Sequence, residues 1–281
     1  MTLATTTGPR VRRVRLRDYT TLRVGGEAEL WEVDGPSDLR EATREPFLVL
    51  GSGANLLVAD AGVNERVVRL GRRYNAMPDF AAGPEAWVGA ATPLPGLVRR
   101  AQRAGLSGLE GLSGVPAVVG GAVAMNAGTR FGEMSGVVAA VELFVDGDLE
   151  VVPAAELGFS YRHTALPAGA VVTRALLRLT PSTPEAVAAS MTAVDAARAG
   201  QPKVKSAGCA FKNPTGASAG KLIDEAGLKG LRVGDAMVSF EHGNFIVNVG
   251  DATAEDVTAL LAAVRSRVPT PLELEWRRWG F

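Results

Sequence analysis

The single cysteine of the chain, Cys209, lies in a run of small residues, Ser206-Ala207-Gly208-Cys209-Ala210, with Lys203, Lys205 and Lys212 close by on either side. A lone thiol in this setting has two readings. It is a buried, inert small hydrophobe, or it is partly accessible in a positive field that favours reactivity. With no second thiol, disulfide chemistry within the chain is excluded, which leaves the roles of nucleophile and acid. His163 and His242 are the only imidazoles that could assist it, and no thiol-hydrolase signature surrounds it. Arg162, between Tyr161 and His163, can grip a carboxylate through two parallel hydrogen bonds, or it is a stacked surface arginine. Glu273 and Glu275 alternate with Leu272, Leu274 and Trp276 and so share one face of a strand. That face is either a solvated edge or aims one carboxyl inward.

Two glycine-rich segments have the composition of ligand cradles. Gly51-Ser52-Gly53-Ala54-Asn55 comes directly after the short apolar run Phe47–Leu50. Its glycines allow backbone N–H groups to turn towards an anion with no Cβ in the way, although the same residues also make an ordinary tight turn. The spacing is not Gly-x-Gly-x-x-Gly and there is no Gly-Lys-Ser/Thr, so the Rossmann and P-loop readings fail. Between Gly108 and Gly128 there are six glycines among apolar residues. Such density costs backbone entropy; its reason is either close approach of a flat or phosphorylated ligand or a tightly packed helix. Taken together, the two segments favour a dinucleotide held by backbone amides. All five lysines (Lys203, Lys205, Lys212, Lys221 and Lys229) fall in one stretch, and every other basic residue is Arg. Lys is a compact point charge that Arg does not always replace. The stretch reads as the lining of a pocket for an anionic ligand, or as an accident of composition.

The elements that position these residues come in three groups. Glu29–Val33, Phe47–Leu50 and Arg66–Leu70 read as strands around a helix at Pro36–Arg44 capped near Ser37, a small α/β unit. Asn75–Pro84 reads as a linker. Trp87–Ala90, Val137–Val145 and Ala170–Leu179 are strand-like, with a helix at Leu94–Ala104. After a boundary at Pro181–Pro184 come helices at Pro184–Ala199, Ala219–Ala226 and Thr253–Arg267, a strand at Asn244–Val249 and a strand-like Leu272–Trp279. The division is 12–73, 84–180 and 182–281.

Composition narrows the partners. The 281 residues carry 30 Lys plus Arg against 30 Asp plus Glu, so no general attraction to nucleic acid or an anionic membrane is expected. One cysteine and two histidines make a metal site unexpected. The most apolar stretch, Val115–Ala127, is too short to span a bilayer. The N-terminal Met1–Arg17 turns basic and has no apolar signal core, which leads to the expectation of a cytoplasmic protein.

In this order the segments resemble the UDP-N-acetylenolpyruvoylglucosamine reductase family. The resemblance is carried by Thr21–Gly26, Gly51–Val58, Gly111–Gly128, Tyr161-Arg162, Gly208–Pro214, Ala219–Gly230, His242–Asn248 and Leu272–Arg277, nearly the whole chain. It implies an α+β fold: a two-part FAD-binding domain of the vanillyl-alcohol-oxidase type (12–73 and 84–180) and a C-terminal α/β substrate-binding domain (182–281). The short path from Arg162 to the strand at Ala170 is similar to the type II subgroup, which lacks an inserted loop there.

The resemblance also implies an FAD-dependent oxidoreductase that uses NADPH to reduce the enolpyruvyl group of a nucleotide-sugar in peptidoglycan precursor synthesis. It would act as a cytoplasmic monomer, without metal, nucleic acid or membrane insertion. The implied catalytic residues are Cys209, Arg162 and Glu275. Cys209 is the proton donor where many members have serine. A thiol, with an ordinary pKa of about 8.5, is a more willing acid than an alcohol, provided it is protonated when needed. FAD would contact Gly51, Ser52, Gly53, Ala54, Asn55, Leu56, Thr92, Val115, Pro116, Gly120, Gly121, Asn126, Ala127 and Gly128. Asn213, Lys229 and His242 would hold the substrate. Another flavin oxidase on the same scaffold would explain the two cradles but not the set Cys209, Arg162 and Glu275. A non-catalytic nucleotide-binding module would leave that set idle.

Overall fold

The computed structural model describes residues Gly8–Phe281; the first seven residues of the basic N-terminal stretch lie outside the described residues. The architecture is α+β, with helices α1 (Pro36–Ala42), α2 (Leu94–Arg103), α3 (Val119–Ala124), α4 (Pro184–Ala197), α5 (Ala219–Glu225) and α6 (Ala254–Arg267). Among the described residues no helix is long and apolar enough to cross a membrane. The chain divides into two compact units. The first comprises the described residues up to Arg12, Glu29–Gly51 and Glu65–Asp195; the second comprises Arg13–Ala28, Ser52–Asn64 and Ala196–Phe281.

In the first unit an antiparallel sheet runs Asp148–Pro153, Val138–Val145, Val171–Arg178, Glu85–Gly89. Alternation places Val141, Leu143, Ala175, Leu177 and Val88 on its buried face. α2 covers that face with Leu94, Leu97, Val98 and Ala101, one stripe of a 3.6-residue period, and α3 adds Val119, Ala122 and Val123. Each fully buried Leu or Val contributes about 1.5–3 kcal/mol. A parallel set, with Arg66–Leu70 between Glu27–Val33 and Phe47–Val49, packs on α1 through Val33, Leu39 and Val68.

Two local expectations differ from the structure. The cap of α1, expected near Ser37, is Gly35, two residues earlier, with Pro36 at the first helical position. Proline suits that position because its missing N–H would have had no partner there. The Asn75–Pro84 segment is packed, not an open linker. Phe80 is buried in the core, and the Ala76 carbonyl accepts from the Gly89 N–H (2.9 Å) and the Thr92 hydroxyl (3.2 Å).

The second unit has an antiparallel sheet in the order Ser206–Cys209, Phe245–Asn248, Ala236–Val238, Arg232–Val233. Arg277–Trp279 pairs in parallel with Leu56–Val58. α6 packs Val257, Leu260, Leu261 and Val264 into the core of this unit. It starts with a reciprocal cap: Thr253 Oγ1 accepts from the Asp256 N–H and the Asp256 carboxylate from the Thr253 N–H, each at 3.0 Å. Asp60 accepts from the next free amides, Ala254 (2.9 Å) and Glu255 (3.2 Å). The strand-like Leu272–Trp279 is broken. Leu274 bridges Phe211, and only Arg277–Trp279 continues as strand, on a different neighbour.

Candidate active site

Cys209 ends the strand Ser206–Cys209 opposite Phe245, half-buried, after a register shift beyond Gly208 at φ +75°. Ala210 and Phe211, next in the chain, are held by Asn244, a buried residue that sequence reasoning left out. The Asn244 side chain accepts from the Phe211 N–H (2.9 Å) and donates to the Phe211 carbonyl (2.7 Å), and the Ala210 N–H donates to the Asn244 carbonyl (2.8 Å). The amide stands in for a neighbouring strand where the ladder is interrupted.

Glu275 joins this arrangement through its backbone. Its N–H donates to the Ala210 carbonyl (2.8 Å), and its carbonyl accepts from Asn55 Nδ2 (3.2 Å), while the Asn55 carbonyl accepts from the Arg277 N–H (3.0 Å). Cys209, Glu275 and Asn55 of the first glycine segment are therefore knitted together, although they are far apart in sequence. Of the two alternating carboxylates, Glu273 is exposed and paired with Lys212 (2.7 Å), whereas Glu275 is half-buried.

The segment Gly51–Leu56 is a turn leading into the strand Leu56–Val58. Gly53 takes φ +64°, and a Cβ there would lie 2.1 Å from the Tyr19 carbonyl oxygen, so the turn needs glycine for its own packing. Its carbonyl accepts from the Thr21 N–H (3.1 Å), which anchors the turn. The second segment forms α3 and its flanks. A Cβ on Gly120 would press on Ala90 at 2.9 Å, but one on Gly121 would meet no protein atom nearer than Val118 Cγ2, at 3.9 Å. Space beside the Gly121 backbone that no side chain fills fits the close approach of a flat group such as FAD. Val115 is half-buried and Pro116 exposed, while Ala127 and Gly128 flank the turn after α3. Thr92 and Asn126 are fully buried with side chains spent on backbone groups, so they shape these loops from beneath.

Arg162 sits in the first unit, in a tight turn closed by Ser160 N–H to His163 O (2.9 Å) and His163 N–H to Ser160 O (3.0 Å). Its φ is +58°, a conformation a side-chain-bearing residue seldom adopts without enforcement. Its guanidinium donates to the Gly128 carbonyl (2.7 Å) and lies over the Tyr161 ring.

The substrate candidates gather around α5. Asn213 Oδ1 accepts from the Ala219 N–H (3.0 Å) at the start of that helix. His242 packs on Gly220, where a Cβ would come within 2.8 Å of its Cε1. Its Nδ1 accepts from the Asn244 N–H (3.2 Å), so the neutral ring carries its proton on Nε2. Burial, and then the Lys229 charge, hold its pKa below the ordinary 6.5. Lys229 is paired with Asp224 (2.8 Å), Lys221 with Glu225 (3.6 Å), and Lys205 donates to the Gly250 carbonyl (3.2 Å).

Comparison with known proteins decides the lineage. The family model described as UDP-N-acetylenolpyruvoylglucosamine reductase, C-terminal domain, matches residues 201–277, and that described as FAD binding domain matches 38–151. The UDP-N-acetylenolpyruvoylglucosamine reductase of Thermus thermophilus is 59% identical over 270 residues, covering 96% of this chain and 99% of the relative. The chain belongs to the UDP-N-acetylenolpyruvoylglucosamine reductase family. The Deinococcus radiodurans relative of the same name is 54% identical, with 97% of each chain covered. The crystal structure of the Thermus caldophilus reductase superposes with a TM-score of 0.93 at 58% identity, covering 97% of this chain and all of that one.

Proposed function

We propose that the chain is an NADPH-dependent, FAD-containing reductase of the enolpyruvyl group of UDP-N-acetylglucosamine enolpyruvate, giving UDP-N-acetylmuramate for peptidoglycan precursors. In this reading residues 12–73 and 84–180 hold FAD, and 182–281 hold the nucleotide-sugar. The observation that carries it is the linkage of Cys209, Glu275 and Asn55 through Ala210 and the Glu275 peptide. It supports a thiol and a carboxyl presented from one rigid piece of backbone that also carries part of the cofactor turn. FAD, held by the segments Gly51–Leu56 and Val115–Gly128, would supply hydride chemistry towards C3 of the double bond, with NADPH as the source of the electrons. The Cys209 thiol gives its proton to C2 and recovers one from solvent. Arg162 stabilises the negative charge that develops on C2 and its carboxylate, a preorganised electrostatic contribution. Glu275 in its protonated form donates a hydrogen bond to the same enolate. Lys229 contacts the diphosphate, and Asn213 and His242 orient the sugar nucleotide. In this reading the enzyme is a cytoplasmic monomer acting on small molecules.

The test is Cys209→Ala, monitored by stopped-flow absorbance. General acid catalysis contributes roughly 10²–10⁴-fold. Return of the flavin absorbance on adding the enolpyruvyl substrate should slow by that factor, far more than its bleaching by NADPH. Cys209→Ser should recover much of the loss. Equal losses in both half-reactions would make Cys209 structural.

A further inference from the structure

Asn126 is fully buried, carries φ +42° and is spent at both ends of its amide. Its Nδ2 donates to the Ser160 carbonyl (2.9 Å) and its Oδ1 accepts from the Ser135 N–H (2.9 Å). Its own N–H donates to the Val123 carbonyl (3.0 Å) at the end of α3. Ser160 is the closing residue of the turn that holds Arg162 in its strained conformation. Two further bonds run the same way: Thr164 Oγ1 donates to the Val123 carbonyl (2.5 Å), and Arg162 donates to the Gly128 carbonyl (2.7 Å). The glycine-rich segment and the arginine turn are thus one hydrogen-bonded block, and Asn126 is the side chain at its centre.

We propose that Asn126 is a positioning residue for Arg162, tying the guanidinium to the α3 segment so that both act as one rigid body. The proposal rests on the reductase reading and adds to it. The amide reaches Ser160, not Arg162 itself, so its effect passes through the turn. Without the Asn126 donor the Ser160 carbonyl would keep only the His163 N–H of its own turn. The turn, no longer tied to the α3 segment through Ser160, would relax towards ordinary φ values and carry the guanidinium away from its place. A displacement of about 1 Å in a reacting constellation costs on the order of 10²-fold in rate.

Asn126→Gly tests this. Glycine keeps the positive φ without strain and removes the whole side chain, with its bonds to both Ser135 and Ser160. Asn126→Asp keeps the acceptor for Ser135 and removes the donor to Ser160. In each variant the FAD retained per chain, the melting temperature and both half-reactions are measured. Reoxidation by the enolpyruvyl substrate should slow by roughly 10–100-fold relative to bleaching by NADPH, in line with that displacement. In an Arg162→Ala background the same change should have little further effect, because the two residues act as a unit. Full additivity with Arg162→Ala, equal slowing of both half-reactions, or loss of FAD from both variants would overturn the proposal. If the wild type itself is not reoxidised by the substrate, the reductase reading fails first and this role falls with it.

Discussion

Gly121→Ala separates what the protein needs from what its ligand needs. Gly121 lies inside α3 with no positive φ, and a Cβ there would meet its nearest protein atom at 3.9 Å, an ordinary contact. Glycine within a helix costs about 0.5–1 kcal/mol relative to alanine. The FAD-free protein should therefore become more stable by about that amount. At about 2–4 °C per kcal/mol for a chain approaching this size, its melting temperature should rise by roughly 1–4 °C. The added methyl group would occupy the space assigned to the flavin nucleotide. Overpacking a close contact costs typically 1–3 kcal/mol, so FAD should bind about 5–150-fold more weakly. Differential scanning fluorimetry of the apoprotein and a flavin-fluorescence titration read the two effects. Gly53→Ala is the contrast. There φ is +64° and the new Cβ would lie 2.1 Å from the Tyr19 oxygen, so stability and FAD affinity should fall together. If Gly121→Ala binds FAD as tightly as the wild type, the cofactor does not approach this helix. If the Gly121→Ala apoprotein melts lower than the wild type, the space is not open.

Two further predictions concern the second unit. Because the His242 pKa is held below 6.5, the unfolded chain binds more protons in the window just below that value; stability is full above it and falls as pH drops through it. His242→Gln should flatten this decline in melting temperature between pH 7.5 and 5.5, and an unchanged slope would mean that another group is responsible. Asn244→Ala strips partners from the buried Phe211 N–H and C=O, at about 1–3 kcal/mol for each. Its denaturation midpoint should drop accordingly, and a loss below about 1 kcal/mol would show that the amide does not act as a strand surrogate.

Much of the arrangement is legible along the chain because it depends on near neighbours. α2 and α6 arise from helical spacing of apolar residues, and the Thr253–Asp256 cap from a four-residue pattern. The strands Glu85–Gly89, Val138–Val145 and Val171–Arg178 arise from apolar runs bounded by turn residues. The chemistry-bearing residues stand out as well: a solitary thiol, an arginine beside a tyrosine, paired glycines and clustered lysines. Composition could nominate these groups, but not say which partners each would find.

Those partners depend on contacts between residues far apart in the chain, which have no sequence period. The two alternating glutamates are alike in pattern, and only folding pairs Glu273 with Lys212 and leaves Glu275 half-buried beside Ala210 and Asn55. The lysine stretch reads as the lining of an anion pocket or as an accident of composition, and only folding places Lys212, Lys221 and Lys229 each beside a carboxylate. Asn126 and Asn244 show the limit most plainly. An asparagine in a sequence is a turn former or a surface polar group. Each becomes a structural pin in this fold because burial obliges its amide to satisfy backbone groups that interrupted strands and loops leave unpaired. The residues able to do chemistry were therefore determined by the sequence. Their orientation was decided by the tertiary structure, since an unpaired peptide group inside a core costs more than the bond that restrains it.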